Sequence, residues 1–189
     1  MQVTNPSFVL HNENLMFLSQ VRVSEEHSEA MLKYMKVTKD IREKKLHKMV
    51  FESCGMNDKT FSMILDGILQ QCYVDETGKL AEQFLSQLIY SNNEFGSESL
   101  QRLKAFIPKM VQLSLNNVTF TESGKIQDRS GSSNADDSKA AFSPRPDICE
   151  DLLKCIAYKG EKIMKLKLTN ISLKSPNRIS YICSIININ

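Results

Sequence analysis

One stretch, Leu85 to Ile107, restricts the fold more than anything else in the chain. It reads LSQLIYSNNEFGSESLQRLKAFI. Leu85, Leu88 and Tyr90 hold its first, fourth and sixth positions, Asn93 the ninth and Phe95 the eleventh, with Gly96 just behind. Leu100, Leu103, Phe106 and Ile107 then recur at helical spacing. Alternation around Leu88 and Tyr90 predicts a short strand with one apolar face. The Asn93 side chain is suited to bond the backbone of the turn that leaves the strand. Gly96 predicts a backbone conformation closed to other residues. The helix that follows lays its apolar stripe on the same core. A strand-plus-helix unit of this kind cannot bury its apolar face alone, so it demands neighbours.

The neighbours are present. Leu46, Met49, Phe51, Cys54 and Met56 repeat the five positions, and Phe61, Ile64, Leu65 and Ile68 supply the helical stripe. A third copy starts at Met110 with Leu113, Leu115, Val118 and Phe120, and a fourth at Ile163 with Leu166, Leu168, Ile171 and Leu173. Both of these carry an aliphatic residue at position nine, with Asn117 or Asn170 just before it. A weaker copy is expected to begin at Leu18, with Val21 and Val23, 28 residues before Leu46. The start-to-start spacing is 39 residues from Leu46 to Leu85 and 25 from Leu85 to Met110.

The organisation expected from this pattern is an N-terminal extension or cap over residues 1–17 and a repeat array over 18–189. Phe8, Val9 and Leu10 offer an opening strand for the cap. Residues 25–45 read as a helix, with Glu25 and Glu26 favourably placed at its positive end. The Ser-, Asp- and Gly-rich segment 121–146 reads as a loop or disordered insertion. Asp147 is placed to cap a helix carrying Ile148, Leu152, Leu153 and Ile156. The final apolar run includes Ile179, Ile182 and Ile186 at helical spacing, expected to pack on the last repeat. That run is consistent with a longer array, with a segment covered by a partner, or with a β-like edge.

Four such copies in series, over roughly residues 18 to 189, resemble a leucine-rich-repeat protein of the ribonuclease-inhibitor-like subclass. The resemblance implies an α/β solenoid, with short parallel strands on the concave side and helices on the convex side. Proteins of this subclass include intracellular inhibitors, GTPase-activating proteins and subunits of ciliary axonemal complexes. The Asn, Lys and Ile usage resembles that of protists with AT-rich genomes. The resemblance therefore implies a protein-binding scaffold or a structural subunit of a multi-subunit assembly, with a motile cilium among the candidate settings. A regulator of a small GTPase, resembling the Ran-activating leucine-rich-repeat proteins, is the alternative; a GTPase turnover assay separates the two.

Composition narrows the function classes. Hydrophobic residues make up 41% and charged residues 24%, ordinary for a globular protein. Net charge is +2 without a concentrated basic stripe, so no nucleic-acid partner is expected. No apolar run approaches the ~18 residues of a membrane span. The N-terminal stretch has no basic start followed by a long apolar core, which favours a cytoplasmic chain, on the cytoskeleton or axoneme if the ciliary setting holds. The five cysteines form no C-x-x-C pair, and His11, His27 and His47 are scattered, so reduced thiols and no metal are expected. No phosphate-binding glycine loop, nucleophile elbow or H-E-x-x-H motif occurs. Asp136 and Asp137 lie in the polar insertion, away from any dry pocket. No enzymatic activity and no cofactor are expected.

What remains is surface. Strand alternation turns Lys48, Val50 and Glu52 away from the core, and likewise Gln87, Ile89 and Ser91. Gln112, Ser114 and Asn116 follow in the third copy, and Lys165, Lys167 and Thr169 in the fourth. These residues are the expected protein-binding face, with Val50 and Ile89 as adjacent exposed apolar groups at its centre.

Overall fold

The structure, a computed structural model, describes residues 15–37, 46–70, 85–121, 147–173 and 175–188. The opening strand expected at Phe8–Leu10, residues 38–45 of the expected first helix, and nearly all of the 121–146 insertion lie outside them.

Five short strands form one parallel sheet: β1 (Leu15–Ser19), β2 (Lys48–Glu52), β3 (Gln87–Ser91), β5 (Gln112–Asn116) and β7 (Lys165–Thr169). They lie in chain order, each beside the one before it in sequence. Helices α1 (Glu25–Val37), α2 (Asp58–Ile68), α3 (Ser97–Leu103) and α4 (Ile148–Lys159) occupy the successive connections, and α5 (Pro176–Ile188) follows β7. Strands β4 (Glu94–Gly96) and β6 (Thr119–Thr121) make a second, two-stranded parallel sheet beyond the turns. The chain is therefore an α/β structure built on a parallel sheet.

The register is set by a repeated apolar pair. Met16, Met49, Leu88, Leu113 and Leu166 are partners across the five strands, and so are Leu18, Phe51, Tyr90, Leu115 and Leu168. A one-residue slip in any strand would turn this pair to solvent, so burial of one face holds the alignment. The first rung differs from expectation. Leu18 pairs with Phe51, not Leu46, so it is the sixth position of its rung, and the sheet begins at Leu15. The strand-to-strand interval is 33 residues from Met16 to Met49, then 39, 25 and 53. The connections vary in length while the ladder does not, because ladder geometry constrains only the strands.

Core residues come from the inner sheet face and the helices. Met49, Phe51, Leu88, Tyr90, Leu113 and Leu115 are completely buried, as are Phe61, Ile64, Leu65 and Ile68 of α2. Phe61 stacks on Tyr90 with ring centroids 3.9 Å apart, and Phe51 meets Phe61 edge-on at 6.0 Å. The Tyr90 hydroxyl donates to Glu94 O at 2.6 Å, which satisfies its polar end. Burial pushes the Tyr90 phenol far above its usual range. The Cys54, Cys149 and Cys155 thiols are also pushed up by burial, which fits unreactive structural roles.

Between Leu88 and Leu113 the chain has room for only seven residues of α-helix, so Phe106 reaches the core from the turn after α3 and Ile107 from a 3-10 helix, Ile107–Lys109. Gly96 corrects the reading of its role. Its φ is −132°, ordinary extended backbone. A Cβ at that position would lie 2.5 Å from an Asp58 carboxylate oxygen and 2.8 Å from Thr121 O, so space demands glycine. Asp58 needs this approach because its carboxylate accepts from the backbone N–H groups of Gly96, Glu98 and Ser99 at 2.8–3.0 Å. A side chain in the first turn of α2 thus caps the start of α3.

Asp147 caps its own helix, accepting from Glu150 N at 3.0 Å, and also receives Arg178 of α5 through Nη2 at 2.7 Å and Nε at 3.1 Å. Partial burial works to raise the Asp147 carboxyl, but the bonds from Arg178 and the Glu150 N–H outweigh it and hold it below the usual range. The folded value lies below the unfolded one, so this contribution is complete above the usual 3.8 and fades as pH falls through the lowered value. Replacing Arg178 by Gln should therefore lower Tm most at neutral pH. The difference from wild type should shrink as pH falls through that acid range. A Tm difference that stays constant with pH would contradict this pairing.

In α5, Ile185 is buried and Tyr181 and Ile182 pack against the core, whereas Ile179 and Ile186 are exposed. Of the three residues expected to pack there, Ile182 does, and Ile179 and Ile186 are corrected to exposed positions. With Arg178 drawn to Asp147, the inward face of the helix is the one carrying Tyr181, Ile182 and Ile185. No described helix is long and apolar enough to cross a membrane.

Candidate functional site

Side chains that alternate with the core pair lie on the opposite face of the sheet. Strand register places them in three rows. Leu15, Lys48, Gln87, Gln112 and Lys165 form the first. Phe17, Val50, Ile89, Ser114 and Lys167 form the second. Ser19, Glu52, Ser91, Asn116 and Thr169 form the third. The structure thus brings all twelve expected surface residues onto one sheet face.

Their exposure is not what alternation alone suggests. Val50 is only 5% exposed, although it is not part of the helix-side core. Its register partners Phe17 and Ile89 stand on either side. Neighbouring strands lie about 4.8 Å apart, so a branched side chain between two larger ones is covered by them. Ser91 and Ser114 are buried for a related reason: each is short and stands between larger neighbours. Val50, Ser91 and Ser114 are therefore corrected from exposed contact residues to the floor of the face. Its exposed apolar group is Phe17, 43% accessible, with half-buried Ile89 further along the row. Phe17 was missed because the first rung was read five residues too late to place it. An alternating LMFLS was the available signal.

Polar residues on this face are tied to one another. Asn116 Nδ2 donates to Ser91 Oγ at 3.1 Å, and Gln112 Nε2 lies 3.5 Å from Ser114 Oγ. Among the described residues no donor reaches the buried Asn116 Oδ1.

A second feature lies at the ends of the strands. The residue after each of the five strands has a left-handed backbone: Gln20, Ser53, Asn92, Asn117 and Asn170, with φ between 51° and 60°. This conformation is unfavourable for most side chains and best tolerated by Asn. The three asparagines also form a chain: Asn170 Nδ2 donates to Asn117 Oδ1 at 2.7 Å, and Asn117 Nδ2 to Asn92 Oδ1 at 2.8 Å. Asn92 Nδ2 then donates to Ser53 Oγ at 3.0 Å. The asparagines read as departures from position nine thus form a ladder of their own at position eight. Position nine is interior. There Asn93 Oδ1 accepts from Cys54 N and Met56 N at 2.9 and 3.2 Å, while its Nδ2 donates to Ser91 O at 2.9 Å and Phe51 O at 3.4 Å. The alignment of YSN, LNN and LTN in successive copies was the sequence signal for the outer ladder.

No protein-family model matches this chain, and no curated protein matches it. The functional reading rests on the geometry.

The face combines charged, polar and apolar groups. Lys48, Lys165 and Lys167 give the face positive groups and Glu52 a negative one. Phe17, Val50 and Ile89 give it an apolar strip that runs across strands. Two open concavities lie off this face. One, about 550 Å³, is lined by the starts of α1 and α2, including Arg22, Glu25, Glu29 and Asn57. The other, about 310 Å³, is lined by Gly55, Asn93, Glu94 and the outer asparagines Asn92 and Asn117. Among the described residues, no group of His, Cys, Asp and Glu is arranged to hold a metal ion.

Proposed function

We propose that this chain is a leucine-rich-repeat solenoid acting as a non-catalytic protein-binding scaffold or a structural subunit of a larger assembly. Its strands line the concave side and its helices the convex side. The observation that carries the reading is the row Phe17–Val50–Ile89, an apolar strip lying on a hydrogen-bonded sheet and turned away from the helices. Such a strip is rigid before binding, so a partner buries it without first ordering it. The apolar pair that recurs in register on all five strands, with one left-handed exit residue per strand, supports the repeat reading. An intracellular assembly, with the axoneme of a motile cilium as one setting, is part of this proposal and rests on the resemblance and residue usage alone.

The test is co-purification of the tagged full-length chain from its native cells, beside an Ile89→Arg variant. Arginine at this half-buried surface position can lie along the sheet and keep its charge in water, so Tm should change little. The wild-type chain should enrich a defined set of proteins that the variant loses by about tenfold or more. Equal recovery by both chains would remove this face as the binding site.

A further inference from the structure

We infer that the open edge of β7 is a second docking site, which takes an extended partner strand alternating acidic and aliphatic residues as a sixth parallel strand. This site lies at the end of the sheet, off the Phe17–Val50–Ile89 strip.

Among the described residues, β7 is paired on one side alone. The way each rung receives the next is constant. His47 O accepts from Ser86 N and Gln87 N, Ser86 O from Val111 N and Gln112 N, and Val111 O from Met164 N and Lys165 N. By the same pattern Met164 O is the next acceptor. At the other end, Ser53 N donates to Ser91 O, Asn92 N to Asn116 O and Asn117 N to the Thr169 hydroxyl, which makes Asn170 N the next donor. Asn170 Oδ1 likewise ends the outer asparagine ladder.

The apolar side of this edge is unfinished. Leu166 and Leu168 are half-buried, although their counterparts Leu88, Tyr90, Leu113 and Leu115 are fully covered. Leu173 is 46% exposed where the equivalent Met56 and Phe95 are buried, and Met164 is 86% exposed. An aliphatic residue beside each of Leu166 and Leu168 would complete the rung.

Charge selects the occupant. Lys165 and Lys167 stand on the opposite face of β7, both exposed, where the preceding rung has Gln112 and Ser114. Residues of an added strand beside these lysines are favoured when acidic, and like charges directly across a strand pair are unfavourable. A second copy of β7, laid in register, sets lysine against lysine. An acidic–aliphatic strand of another protein satisfies both faces and the backbone edge at once, as in strand addition to exposed sheet edges.

The experiment uses the full chain and a short fluorescent peptide alternating glutamate and leucine, read by anisotropy, with the same peptide carrying lysine for glutamate as its counterpart. Saturable binding of the glutamate peptide is expected, weakened at least about tenfold in the double variant K165E/K167E. The lysine peptide should bind that variant and not the wild type. Slower exchange of the Asn170 amide with the glutamate peptide present is expected as well. The Ile89→Arg chain should bind the peptide as well as wild type, which keeps this site separate from the proposed scaffold face. Absent binding to wild type, or equal binding by the charge-reversed chain, would overturn the inference. So would self-association of K165E/K167E with no peptide binding by wild type, since the lysines would then serve only to keep the edge unpaired.

Discussion

Leu88→Asp is expected to unfold the protein. Leu88 is fully buried in β3, the central strand, and faces Met49 on one side and Leu113 on the other. The substitution removes apolar packing and places a carboxylate where no described cation is near enough in register to pair with it. Loss of packing and burial of the charge together cost about 4 kcal/mol or more. Domains of this size are stable by about 5–15 kcal/mol, so most of the margin disappears. Thermal melting by circular dichroism should show loss of the cooperative transition or a Tm lowered by at least about 10 °C. The neighbouring Ile89→Asp, on the other face of the same strand, should be much milder. Equal, small effects at both positions would contradict the assignment of faces.

The second large effect is expected at Asn93. Its side chain bridges two rungs, accepting from Cys54 N and Met56 N and donating to Ser91 O and Phe51 O. Asn93 is itself 5% exposed. Asn93→Ala leaves those donors without a protein acceptor in the interior, and each orphaned buried group costs about 1–3 kcal/mol. A destabilisation of about 2–4 kcal/mol is expected in urea unfolding, with an unchanged denaturant slope. Hydrogen exchange adds a local signature: the Cys54 and Met56 amides should lose protection beyond the global change. The outer asparagine Asn117, with exposed bonds, should cost far less when replaced by Ser. A stable Asn93→Ala variant with protected Cys54 and Met56 amides would show that this side chain does not tie the rungs.

Much of the sheet could be read from residue order because burial and alternation act on the same short segments. Met49, Leu88, Leu113 and Leu166 each sit three residues after an apolar anchor and two before a second apolar residue, and that pattern has one inner face. The first rung was harder. Its apolar alternation, LMFLS, is short and the apolar count was begun at Leu18, so Phe17 went unread. The connections were also poorly legible, since α3 stops after seven residues, and Phe106 is buried from a turn and Ile107 from a short 3-10 helix.

For the surface face, alternation identified the side of the sheet but not the exposure. Exposure depends on the heights of register neighbours, and those follow only once the pairing is known. Val50 is covered because Phe17 and Ile89 flank it, and Ser114 because it is short beside Ile89 and Lys167. The Asp58 cap on α3 was invisible for the same reason: it joins residues about forty apart in the chain, linked only by the stacking of one connection on the next.

The order and direction of the strands carry every other statement about this molecule. The most direct measurement is the set of cross-strand proton contacts in solution, from nuclear Overhauser spectra of the isotope-labelled chain. The account predicts parallel-sheet contacts linking Met16 to Met49, Met49 to Leu88, Leu88 to Leu113, and Leu113 to Leu166, in that succession. Contacts of antiparallel type, or Leu88 next to Leu166 with Leu113 elsewhere, would contradict it.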